Sequence, residues 1–360
     1  MKRAAFARIN LANLKFNLAA IRKLANQSKV MAVVKANAYG HGILEVCNSL
    51  SNADAFSVAY VNEALELRGN GIKQPIIALQ GFFSADDLRR AVEHDVQVVV
   101  HNREQLSILK SISDEPTLNV FLKCDTGMHR LGFAAEEFSK ILAELKSIIS
   151  ANSTIRIMTH LACADEVESP ATQQQLEQFD LLLSDISYEQ SVANSAGILA
   201  WPKSHRDWVR PGLALYGINP IEKKYVISSA IELRPVMSLH APLISIKQCK
   251  KGEKVGYGGE FCCPCNMVIG IIAIGYADGY PRHLKSAPNV SIGAKKAPLI
   301  GRVSMDMIAV DLTNINTCVG ETVELWGESI SVADVADHAE TISYELLCAA
   351  GNSVHKKYIQ

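Results

Sequence analysis

VMAVVKANAYGHG, residues 30–42, carries the first decision about this chain. Its opening residues are apolar and mostly β-branched, so 30–36 reads as a strand buried on both faces. The run ends at Lys35, and helix-like GILEVCNSL follows. The same alternation then repeats. AFSVAYV (55–61) precedes NEALELRGNG, whose Gly69 and Gly71 read as a helix stop. PIIALQG (75–81) precedes SADDLRRAVEHD, with Ser84 as its N-cap. VQVVVHN (96–102) precedes REQLSILKSI, LNVFLKCD (118–125) leads through TGMHRLGF to AAEEFSKILAELKSII, and TIRIMTHL (154–161) leads to TQQQLEQFDLLLSDI. A strand near 189–193 enters NSAGILAW, and one near 207–209 enters RPGLALYG.

Eight strand–helix units with continuous apolar strands predict a parallel α/β sheet closed into a (β/α)8, TIM-type barrel. No GxGxxG follows the first strand, which argues against a dinucleotide-binding open sheet. The texture changes near residue 231. VMSLHAPLISIKQ, MVIGIIAIGYADGY, NVSIGAKKAPLIGRVSMDMIAVDLT and ETVELWG read as strands, and only SVADVADHA and TISYELLCAAG read as helices. The expectation is a barrel over 9–230 and a C-terminal β-rich domain over 231–360, with residues 1–8 able to pair with the latter.

A formal net charge of −1, without basic blocks, leaves no footprint for nucleic acid or for a membrane surface. A small-molecule ligand is the default. The opening MKRAAFARINLANLKFNLAAIRK is broken by polar residues and reads neither as a signal peptide nor as a membrane span. Nine scattered cysteines, an odd number, read as reduced thiols of a cytoplasmic protein. Cys262-Cys263-Pro264-Cys265, with Cys249 as a fourth ligand, fits no structural zinc spacing. Packing or surface thiols are expected there, and no metal.

Barrel enzymes place their chemistry at the C-terminal ends of the strands. There the first strand offers Lys35. A lysine at the buried end of a strand is costly without a task or partner. Burial favours its neutral amine, the form that Schiff-base chemistry uses. A strand-end lysine reaching solvent is the plainer reading, and spacing alone does not separate the two. The fifth strand offers Lys123, Asp125 and Arg130, the sixth His160, the seventh Asn194 and Ser195, and the eighth Arg210 before Gly212 and Leu213. Ser195 and the Gly212–Leu213 backbone are neutral donors near a helix start, which suits a phosphate. Taken singly, each of these residues is more often structural; their joint position at strand ends raises the functional reading.

AVVKANAYGHG, KCDTGMHRLGF, THLACAD, ANSAG, RPGLALYG, VGYGG, IGYADGYPR, GRVSMDM and TISYELLC together resemble the alanine racemase family, in that family's order from about residue 8 to 348. The C-terminal GNSVHKKYIQ departs from the family's usual ending. The resemblance implies a pyridoxal-phosphate enzyme that interconverts L- and D-alanine, supplies D-alanine for peptidoglycan, and works as a homodimer with shared active sites. It implies that Lys35 carries the cofactor and serves as one base, and that Tyr257 from the partner's β-domain is the opposite base. A phenol is a poor base at neutral pH, so His160 and Arg210 are implied as its tuning relay. Arg210 is implied to face the pyridine nitrogen; a guanidinium only donates, so that nitrogen stays unprotonated. Tyr39, Ser195, Gly212, Leu213 and Tyr344 match the phosphate set. Arg130 matches the residue near the substrate carboxylate. Met305 and Asp306 match a partner segment closing the pocket, and Tyr276 an entrance gate. Lys123 matches a lysine carbamylated in many members, where the carbamate braces Arg130.

A racemase of broader range, acting on serine or lysine, uses the same scaffold. A basic-amino-acid decarboxylase shares the layout, but Arg210 and the tyrosine base argue against it. A non-catalytic pyridoxal-phosphate-binding protein is disfavoured by the full β-domain with Tyr257.

Overall fold

A computed structural model of the chain describes residues 3–112, 116–184, 187–222, 224–225 and 231–360. The expected boundary at 230/231 adjoins 226–230, which lie outside the described residues. So do the first two residues and Asp185 and Ile186, the end of the stretch read as a helix after the sixth strand. The chain divides into two compact units, one of Lys15–Ala36 and Ile43–Leu233, the other of Met1–Leu14, Asn37–Gly42 and Arg234–Gln360.

In the first unit, eight parallel strands close in chain order: Lys29–Val33, Ala55–Val58, Ile76–Ala78, Val96–Val100, Asn119–Lys123, Thr154–Met158, Gln190–Ser191 and Trp208–Val209. The last pairs back on the first, with Trp208 opposite Lys29 and Val209 opposite Val30. Helices follow the strands as the periodicity predicts, among them Val61–Gly69, Ala85–Glu93 and Arg103–Ser111. Ser84 caps the second of these, its side chain accepting the Asp87 N–H at 3.1 Å. Met31, Ala55, Ile77, Val99, Phe121, Met158 and Trp208, from seven different strands, pack as one buried cluster. Side chains therefore fill the barrel, which is a packed core rather than a pore. One boundary differs from expectation: the first strand stops at Val33, before Lys35.

The second unit is β-rich and mostly antiparallel. Its strands run in the order Met267–Ile272, Ile308–Asp311, Lys295–Ile300, Asn289–Ile292, Thr322–Trp326, Met237–Cys249, Phe6–Asn10 and His355–Ile359. Met267–Ile272 also pairs with Met237–Cys249, which closes six of these strands into a ring. Closure removes the open edges that would otherwise template association. Phe6–Asn10 lies antiparallel to Met237–Cys249 and parallel to His355–Ile359, which places this N-terminal strand in the sheet. The stacked rings of Tyr280 and Trp326, 6.0 Å apart, are buried in this unit.

Candidate active site

Lys35 opens a backbone turn of an unusual kind. Ala36, Asn37, Ala38 and Tyr39 all have φ between 53° and 55°, a left-handed helical turn made without glycine. Each L-residue in that conformation costs roughly 1–2 kcal/mol, and such strain persists only where surroundings over-determine it. Local bonds do so here. The His41 N–H reaches the Ala38 carbonyl at 3.0 Å and the Gly42 N–H the Asn37 carbonyl at 3.0 Å. The Ala36 N–H donates to Glu63 Oε1 at 2.8 Å. The other oxygen of Glu63 accepts from Ala59 and Tyr60. The residue after Lys35 is thus held by a carboxylate from the next strand–helix unit.

Around the same strand ends the barrel gathers cations. Lys123 is 8% exposed. Burial pushes its amine down to about 7, and the charges of Arg210, Arg130 and Lys35 act in the same direction. Arg210 is buried, and desolvation brings it to about 10, so it stays protonated at neutral pH. Its Nη1 donates to Ser191 Oγ at 2.6 Å; its Nη2 meets the carbonyls of Thr159 at 2.6 Å and Val192 at 3.1 Å. Nη2 also lies 3.1 Å from His160 Nδ1. A guanidinium can only donate, so Nδ1 accepts and the imidazole proton sits on Nε2. Burial and then the charges of Arg210, Lys123, Arg130 and Lys35 hold His160 well below its usual value, so this ring is neutral.

Arg130 is carried by the loop between the Lys123 strand and Phe133. Asp125 shapes that loop, its Oδ1 accepting the N–H groups of Gly127, Met128 and His129 at 2.9–3.1 Å. Gly132, at φ 126°, lets the loop close: a Cβ there would lie 2.6 Å from the Asp125 nitrogen. At the last two strands, Ser195 Oγ accepts the N–H of Gly212 at 2.9 Å and of Ala214 at 3.2 Å. A hydroxyl that accepts two such bonds still has its own proton to give. Leu213 follows, buried, at the start of the turn Leu213–Tyr216.

The second unit holds the remaining predicted residues in three places. Tyr39 and Tyr344 approach with ring centroids 5.6 Å apart, and burial raises the Tyr39 phenol, helped by Tyr344 and Cys348. Tyr257 is 69% exposed, at the tip of a hairpin between Lys254–Val255 and Phe261–Cys262. Gly256, Gly258 and Gly259 supply the left-handed corners of that tip. Tyr276 and Met305 are also exposed, on two turns joined by backbone bonds from Tyr276 to Ser304 and from Ala277 to Met305. Asp306 follows directly. Cys263 packs with Met267, Ile269 and Ile300, whereas Cys262 and Cys265 are exposed. Among the described residues, no three His, Cys, Asp or Glu side chains are placed to hold a metal, and no helix is long and apolar enough to cross a membrane.

The strand ends thus present Lys35, Lys123, Arg130 and Arg210 around a neutral imidazole, and neighbouring charges lower the proton affinity of Lys123 and His160. Such a set is short of negative charge, and a cofactor bearing a phosphate and a substrate bearing a carboxylate fit it. Sequence reasoning missed Ser191 and Glu63. Neither carries a motif signal; a serine in a two-residue strand and a glutamate in the first turn of a helix are ordinary residues there.

Comparison with known proteins agrees along the whole chain. Residues 9–220 match the family description "Alanine racemase, N-terminal domain" and 236–358 match "Alanine racemase, C-terminal domain". A curated alanine racemase of Shewanella sediminis is 45% identical over 342 residues, 95% of either chain. The solved alanine racemase of Acinetobacter baumannii superposes with a TM-score of 0.93 at 39% identity, covering 99% of this chain and 100% of its own. That of Bartonella henselae, described with covalently bound pyridoxal phosphate, gives 0.88 at 28% identity over 99% of both chains.

Proposed function

The chain belongs to the alanine racemase family, and from that premise we propose that it interconverts L- and D-alanine with pyridoxal phosphate carried on Lys35. When bound, this cofactor supplies an electron sink that makes the α-proton of an amino acid removable. The protein must then take a proton from one face and return one to the other. Lys35 is the base on one side. Tyr257 of the partner subunit is the base on the other, which requires a homodimer whose C-terminal domain serves its neighbour's site. A phenolate needs a donor, and the Nε2 proton of His160 is one, because Arg210 fixes that tautomer.

With the cofactor bound, Arg210 would meet the pyridine nitrogen and, as a pure donor, would give it no proton. Tyr39, Ser195, Gly212, Leu213 and Tyr344 would hold its phosphate. Arg130 orients the substrate carboxylate. Met305 and Asp306 of the partner subunit border the pocket, and Tyr276 gates it. Lys123 is carbamylated: its neutral amine bonds to the carbon of CO2 and releases one proton to solvent. The resulting anion turns repulsion between Lys123 and Arg130 into attraction. The enzyme is cytoplasmic, and its D-alanine serves peptidoglycan.

The observation that carries this reading is the cationic set around a neutral His160 at the strand ends, with Lys123 and Arg210 buried. Purified protein incubated with L-alanine and assayed by chiral chromatography should yield D-alanine. Borohydride should fix the cofactor to the peptide bearing Lys35. A label on another lysine, or Tyr257→Phe at the wild-type rate, would overturn the assignment of bases.

A further inference from the structure

The opening residues have no part in the roles above, yet within the C-terminal unit Arg3 reaches both turns that carry Tyr276, Met305 and Asp306. Its Nε and Nη2 donate to the two carboxylate oxygens of Asp278, and the same Nη2 donates to Asp306. Asp278 is 1% exposed, whereas the Asp306 side chain is largely open to solvent. The second oxygen of Asp278 also accepts the Gly275 N–H at 3.0 Å, folding the Tyr276 turn around this carboxylate. A buried carboxylate without a cation is costly, and the cation here comes from 275 positions earlier in the chain.

The two turns lie against each other with little slack. Ser304 O accepts from Tyr276 at 3.1 Å and Met305 O from Ala277 at 3.0 Å. A Cβ on Gly275 would lie 2.2 Å from Ser304 O and 2.4 Å from Met305 O, so only glycine permits the approach. Backbone bonds join the turns on one side. On the other, a single guanidinium joins a carboxylate from each, with the forked geometry that lysine lacks.

We infer that Arg3 is a positioning residue for substrate entry: it locks the Tyr276 turn to the Met305–Asp306 turn and offsets their negative charge. The inference rests on the reading of Tyr276, Met305 and Asp306 as pocket residues. Without Arg3, the two carboxylates share the platform with no other cation paired to either among the described residues. The turns should loosen, alanine should bind more weakly, and a cationic amino acid should be rejected less.

The test compares wild-type holoenzyme with Arg3→Ala, Arg3→Lys, Tyr276→Ala and Met305→Ala, measuring kcat and KM for L-alanine and L-lysine together with the thermal midpoint. Arg3→Ala should raise KM for alanine about threefold or more while kcat stays within about twofold, the pattern of lost binding rather than lost chemistry. It should also raise the ratio of kcat/KM for lysine over alanine. Arg3→Lys should recover part of the KM change, since an ammonium can serve one carboxylate. An unchanged KM in Arg3→Ala, with KM shifted in Tyr276→Ala or Met305→Ala, overturns the role of Arg3 alone. KM unchanged in all three overturns the pocket reading and this inference with it. Equal loss of kcat and stability in Arg3→Ala and Arg3→Lys, with KM unmoved, marks Arg3 as merely structural and overturns it too.

Discussion

Ser191 gives Arg210 an oxygen at 2.6 Å and passes its own proton to the Trp208 carbonyl at 3.0 Å. Both bonds are buried, and among the described residues the hydroxyl is the one group bonded to the Nη1 end of the guanidinium. Ser191→Ala leaves a buried charged donor unmet, at a cost of about 1.5–3 kcal/mol. A tenfold or greater fall in kcat/KM, with a shifted cofactor absorption band, is the expected outcome of steady-state and spectroscopic measurements; wild-type values in both would discard the role. Lys123 permits a second prediction at this scale. Burial first, and neighbouring cations second, bring its amine to about 7. Only the neutral amine reacts with CO2, so incorporation of 13C-bicarbonate, followed by carbon NMR, should rise as pH increases through about 7 and vanish in Lys123→Ala. Lys35, Lys123, His160 and Arg210 were legible because each ends an apolar run, and position along a strand is written in the sequence. Ser191 was not: a lone serine gains meaning only when Arg210, 19 positions later, folds against it.

The left-handed turn at 36–39 is where local propensity and structure part company. Ala-Asn-Ala-Tyr contains no glycine, and nothing in its composition announces four positive φ angles. The conformation is imposed from outside, by the Glu63 carboxylate on the Ala36 N–H and by the His41 ring, whose Nδ1 lies 2.9 Å from the Ala38 carbonyl. Glu63→Gln replaces one acceptor oxygen by a donor that faces N–H groups. Urea unfolding should show a loss of about 1–2 kcal/mol, and kcat should fall several-fold because the backbone beside Lys35 is released. A variant with unchanged kcat would show that the turn holds Lys35 without that carboxylate. The barrel strands were read correctly from sequence for the opposite reason. A parallel strand buried on both faces must be apolar throughout, so its composition alone distinguishes it. The first strand was read three residues too long because Val34, Lys35 and Ala36 continue the run in composition but not in conformation.

Across the whole molecule, the barrel keeps its reactive groups and its stabilising charges at opposite ends of the strands, a division seen generally in this architecture. At the N-terminal end, Glu189 accepts from Lys29 at 2.7 Å, from Arg156 at 2.6 Å and from Trp208 Nε1 at 3.0 Å. These donors come from the first, sixth and eighth strands, so one carboxylate ties the closing seam to its neighbours. Arg156 also lies over the rings of Phe121 and Trp208, at 5.5 and 5.7 Å. Burial alone would raise the Glu189 carboxyl; the three donors outweigh it and hold it at about 2, against an ordinary 4.5. The folded protein therefore gives up this proton more readily than the unfolded chain. Its contribution to stability is complete above about pH 4.5 and is lost as pH falls toward about 2. The Glu189 side chain is 36% exposed, and water screens part of the attraction, so the contribution is about 1–2 kcal/mol rather than the value for a fully buried pair. Glu189→Gln should be less stable than wild type by that amount at pH 7, and the gap should close as both are titrated below pH 4.5. Denaturant unfolding at a series of pH values checks it: a gap that stays constant down to about pH 2 would mean that the carboxylate's charge does not tie the seam, and that shape and the Trp208 hydrogen bond hold the barrel closed at that end.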